Sequence, residues 1–181
     1  MTWKLLLKRI GVVLLMLAAA SFWITPLHEA AHWVPASVFG LDPEVRLYWD
    51  TPILAGEVSW NYPATAVQGF LTTAGPWYLL YLPGAVALPF LTLFRTRRAM
   101  IARLFLALLV GQGGLYTLLG LHWQCSTCDS WNMVKVGIPS WVFYAFGSIT
   151  FAMALWVGVD FLRKGVRRYD TTERERGTLS T

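Results

Sequence analysis

Charge is what this chain has least of. Only 14% of its 181 residues are Asp, Glu, Lys or Arg, where a soluble domain carries about a quarter. Set beside 56% hydrophobic residues, that shortage excludes a soluble globular domain and implies an integral, multi-pass membrane protein. No polar stretch is long enough to form a separate soluble domain. A single membrane domain over residues 1–169 is expected, followed by a charged flexible tail over 170–181. The net charge of +5 does not point to nucleic acid, because the basic residues gather at the ends of apolar runs, where membrane orientation accounts for them. Histidine is scarce as well, and three residues are too few for the histidine-rich di-iron centre of a membrane desaturase.

That scarcity makes the placement of histidine informative. Two of the three stand in His28-Glu29-Ala30-Ala31-His32, at the end of the first long apolar run. On a helix, positions four apart share a face, so both imidazoles can reach one metal ion with Glu29 beside them. H-E-x-x-H is the arrangement in which two histidines hold zinc and the glutamate serves as general base. Haem ligation by the same pair is sterically poor, since neighbours on one helix cannot occupy opposite faces of one haem. The bland alternative, polar residues at a helix end facing headgroups, leaves a carboxylate and two imidazoles beside lipid at considerable cost.

Around this motif the chain reads as an all-α membrane protein, a four-helix transmembrane bundle with a kinked or broken first helix and a short interfacial β-hairpin. The first helix is expected over about 4–24 and again over 26–39, with Thr25-Pro26 bending or interrupting it and Gly40 ending it. Its apolar run, Ile10 to Leu27, is long for a signal-peptide core, so retention is expected despite the small residues Ala18-Ala19-Ala20-Ser21. The other helices are expected over about 66–94, 99–121 and 139–162. Between the first two, Val45 to Trp49 and Ile53 to Trp60 are β-branched and aromatic runs bounded by turn signals, which predicts a hairpin over about 44–60. It serves as a connector, or as an exposed edge to which an extended peptide can add. In the second helix, Thr72-Thr73-Ala74-Gly75-Pro76 would admit another helix closely, and Pro76 would free a backbone carbonyl. Gln112, within the run Gly111-Gln112-Gly113-Gly114, can face a polar interior.

Basic clusters fall at the N-terminus, between the second and third helices, and after the fourth. Both termini are therefore expected in the cytoplasm, with the hairpin, the histidine motif and the segment from His122 to Gly137 near the outer face. Two histidines do not complete a catalytic zinc site, which takes a third protein ligand and an open position. Asp129 is the preferred third ligand, and His122, Cys125 and Cys128 are the alternatives at the same level. Cys125 and Cys128 with the two histidines would instead close a structural Cys₂His₂ zinc site, leaving Glu29 nothing to activate and the protein a non-catalytic scaffold or partner subunit. The two cysteines can also form a disulfide restraining the segment that carries Asp129, or stay as thiols.

The histidine motif at the end of an apolar helix, with Thr73-Ala74-Gly75-Pro76 in the following span, resembles the site-2 protease family. These are intramembrane zinc metalloproteases with a β-hairpin between the two motifs and an aspartate ligand on a later helix. The resemblance runs from about His28 to Asn132. It implies Zn²⁺ held by His28, His32 and Asp129, Glu29 as general base, and a membrane-associated peptide or protein as substrate. Leu79 stands where that family carries an asparagine after Gly-Pro, so polar support would come from Asn132 or Gln112.

Overall fold

The computed structural model describes residues 3–50, 53–62, 64–94, 96–124 and 128–164. Cys125 and the tail expected over 170–181 lie outside the described residues. Residues 3–38 form one helix, α1 (Trp3–Val38), which runs through both Pro26 and Pro35. Of the bend or interruption expected at Thr25-Pro26, the interruption is absent. A proline removes one backbone donor, but here the flanking segment is held by packing that buries Ile24, Glu29, Ala31, His32 and Ala36. α1 ends as expected at Gly40, whose φ of +69° reverses the chain while Leu41 N–H closes onto the Ala36 carbonyl at 3.0 Å.

Strands β1 (Pro43–Asp50) and β2 (Ile53–Trp60) form an antiparallel hairpin in which Asp50 pairs with Ile53 and Pro43 with Trp60. The hairpin lies along α1 near the histidine motif, where the Thr25 hydroxyl donates to the Leu54 carbonyl at 2.7 Å. Thr65 then caps α2 (Ala66–Thr73) in a reciprocal box with Gln68. The expected single helix over 66–94 is instead bent by 42° at residues 74–76, and it continues as a π-helical turn, Trp77–Tyr81, and α3 (Leu82–Leu91). The interruption expected in the first helix thus falls in the second, where Gly75 and Pro76 stand together.

Two further long helices follow, α4 (Arg97–His122), capped by the Thr96 hydroxyl, and α6 (Ser140–Lys164). Between them the segment expected as a loop contains a seven-residue helix, α5 (Asp129–Lys135). α1, α4 and α6 are each long and apolar enough to cross a membrane, and the bent pair makes a fourth candidate if taken as one span. α4 is the central element: 56% of its apolar window is buried against 11% for α1 and 28% for α6. Its Leu104 and Ala107 form one core cluster with Leu88, Val157 and Phe161, and its Leu109 and Val110 a second with Ala20. Leu121 joins Ala74, Met133 and Phe143 in a third. The third cluster packs α5 against the bend, which sets the position of Asp129.

Candidate metal centre

Helical spacing brings His28 and His32 together on α1, with their rings in edge contact at 4.8 Å and their Nε2 atoms 3.2 Å apart. Asp129, the first residue of α5, enters from the other side. Its Oδ2 lies 2.9 Å from His28 Nε2 and 3.0 Å from His32 Nε2. Three ligand atoms from residues up to 101 positions apart thus face one point, and together they can hold a metal ion. Burial alone would push the Asp129 carboxyl up, but hydrogen bonds from His28 and His32, with the charge on those rings, outweigh it and hold the carboxyl well below the usual carboxylate range.

The outward nitrogens of both rings are also engaged. His32 Nδ1–H donates to the Thr72 carbonyl at 2.8 Å, and His28 Nδ1 is 2.8 Å from the Tyr81 hydroxyl. A carbonyl only accepts, so His32 Nδ1 carries a proton; Nε2, turned toward Asp129, donates a second proton to the carboxylate here and would give it up to a metal ion. Ligating histidines commonly make such a bond, which fixes both tautomer and ring orientation. Tyr81 is 3% exposed and was not singled out by any sequence pattern. Its ring occupies the space a side chain at position 113 would need, since a Cβ on Gly113 would lie 2.3 Å from Tyr81 Cε1.

Glu29 is buried beside this group, under the hairpin. A Cβ at Gly56 of β2 would come within 2.6 Å of Glu29 Cγ, so glycine there is what lets the strand lie directly over the carboxylate side chain. His28, Glu29, His32 and Asp129 all line a cavity of about 770 Å³ whose walls include Leu54 and Val58 of β2, Trp77, Tyr81, Tyr116 and Asn132.

The other sequence candidates separate. Asn132, one turn beyond Asp129, lines the cavity. Gln112 does not, because its amide donates to Ser21 Oγ at 3.0 Å and to the Leu17 carbonyl, tying α4 to α1. His122 is exposed at the last turn of α4 and does not line the cavity. Cys128 lines the cavity but is disulfide-bonded, so its sulfur is not a thiolate ligand and the Cys₂His₂ set is not formed. Comparison with protein-family models, with curated proteins and with solved structures finds no match to this chain in any of the three. The fold and site define a largely helical protein with membrane-length apolar helices and a His, His, Asp group open to a cavity.

Proposed function

We propose that this protein is a membrane-embedded zinc metallopeptidase that hydrolyses peptide bonds of membrane-associated or transmembrane substrates. The observation that carries the reading is the convergence of His28, His32 and Asp129 at mutual distances of 2.9 to 3.2 Å, beside Glu29 in one cavity. Those separations suit zinc, whose tetrahedral ligands at about 2.0–2.2 Å stand about 3.3 Å from one another. Two imidazoles and one carboxylate are also a ligand set of catalytic zinc sites, leaving a position for water or substrate. When bound, zinc supplies a water of lowered pKa and polarises the scissile carbonyl.

The chain's own residues do the rest. Glu29, adjacent in sequence to one ligand and buried near the others, takes the proton of the attacking water and returns it to the departing amine. The hairpin over Glu29 presents strand β2 along the cavity, where an extended segment of substrate can be held by backbone hydrogen bonds. We further propose that the bent pair α2–α3 acts as one span, giving four, with both termini cytoplasmic and the centre near the outer face. Two measurements test the reading. Metal analysis of the full chain purified in detergent is expected to give about one zinc per chain, lost in His28→Ala and Asp129→Ala. Glu29→Gln is expected to keep the zinc and lose cleavage of a bilayer-inserted peptide by about 10²-fold or more. Cleavage undiminished in that variant would rule out the mechanism, and zinc retained in both ligand variants would rule out the site.

A further inference from the structure

Both histidines of the centre are oriented from one element that contributes no ligand, the bent span. Thr72 is the last but one residue of α2, and in an unbroken helix its carbonyl would accept the backbone N–H four residues on. That residue is Pro76, which has no N–H. The Thr72 carbonyl therefore lacks its usual helical donor four residues on, and it accepts His32 Nδ1–H at 2.8 Å. Five residues beyond Pro76, the π-helical turn ends at Tyr81, whose hydroxyl meets His28 Nδ1 at 2.8 Å. Between these contacts Gly75 lets the bend touch α1 at the motif itself: a Cβ there would stand 2.0 Å from the Ala31 carbonyl oxygen.

We infer that the bend at Gly75-Pro76 and its π-helical turn form the orienting frame of the metal centre, with the Thr72 carbonyl and the Tyr81 hydroxyl setting His32 and His28 as Nε2 ligands. Pro76 and Tyr81 are positioning residues that contribute no ligand atom. The π-helical turn supplies the register. By widening one turn between Trp77 and Tyr81 it turns the Tyr81 side chain to the same side as the Thr72 carbonyl. This inference rests on the metal-centre reading and adds that ligand geometry is built by an element outside the ligand-bearing helices.

The test uses the full chain in detergent micelles, with zinc as the probe. Zinc affinity is measured by competition with a chelator, and the histidine tautomers by ¹⁵N NMR of the imidazoles in the zinc-loaded protein. Tyr81→Phe keeps the buried ring and removes the acceptor, and Pro76→Ala returns a backbone N–H to the Thr72 carbonyl. Each is expected to weaken zinc binding about 10- to 100-fold, and Pro76→Ala to change the His32 ring signals while Tyr81→Phe changes those of His28. Leu79→Ala, a half-exposed position on the same turn, is expected to bind zinc as the wild type does. Should Pro76→Ala fail to fold, Tyr81→Phe decides alone. Wild-type affinity and unchanged ring signals in both variants would overturn this inference and leave the metal centre standing. A wild-type protein that binds no zinc would overturn both.

Discussion

Asp129 draws its properties from two side chains at once. Its carboxylate accepts from both motif histidines, and this holds it ionised far into acid. Metal and protons compete for the imidazole nitrogens, so zinc affinity falls as pH falls. Because Asp129 stays deprotonated in mild acid, it is expected to release no proton when zinc binds there. Calorimetry in buffers of different ionisation enthalpy counts the protons released per zinc, and more than about two, the most that two imidazoles can give up, would contradict the environment described for Asp129. Gly75 is the other residue on which the site depends. Gly75→Ala drives a methyl group into the backbone of α1 at Ala31, where no side chain can move aside. It is expected to destabilise the protein by about 2 kcal/mol or more, read by thermal unfolding in detergent, and to weaken zinc binding as His32 is drawn from Thr72.

At the level of elements, the surprise lies in which helix is interrupted. Proline alone does not break α1, because the hairpin and α2 clasp its last three turns. Gly75-Pro76 does break the second span, where close approach to α1 and a lost donor coincide. The hairpin has its own position to defend. Gly56→Val is expected to displace Glu29 or lift β2, leaving zinc affinity within about twofold while cleavage falls at least tenfold. Equal losses in both would show that the strand supports the ligands as well as the base. α4 and α6 are joined at their other ends by charge, with Arg103 stacked on Trp156 at 4.8 Å and paired with Asp160 at 3.8 Å. Both groups are largely buried, so Asp160→Leu strands a buried guanidinium and is expected to cost about 3 kcal/mol. A cost under about 0.5 kcal/mol would mean that water or lipid solvates Arg103 equally well.

For the molecule as a whole, the metal group and the Arg103–Asp160 pair lie at opposite ends of α4, with the apolar core between them. Arg9 joins the charged end, donating to the Leu162 and Arg163 carbonyls at 2.6 and 2.9 Å and so capping α6. Trp49, Trp123 and Trp141, each more than 60% exposed, belong to the other end, by the hairpin and the start of α6. The basic residues gathered at the end that carries Arg9 and Arg103 are the distribution on which the proposed orientation rests. Single cysteines added at position 4 and at position 49 in a disulfide-safe background are expected to react with a membrane-impermeant thiol reagent in intact cells only at 49. Labelling at 4 alone would invert the orientation.

Two things were determined by the sequence alone. Low charge and long apolar runs set the membrane class, and the four-residue spacing of His28 and His32 set their common face. Both are local matters, decided by composition and by helical repeat. The hairpin was equally legible, since β-branched and aromatic runs bounded by turn signals mark two short neighbouring strands. What lay 40 to 100 residues apart was decided only by tertiary structure. Asp129 was one of four candidate third ligands until α5, a seven-residue polar helix with too short a pattern to announce itself, was packed against the bend. The carbonyl that Pro76 frees was foreseeable, but its acceptance of His32 was not, and no pattern marked Tyr81. Those contacts depend on a 42° bend and on the close approach that Gly75 permits, quantities fixed by packing between helices and not by the order of residues within one.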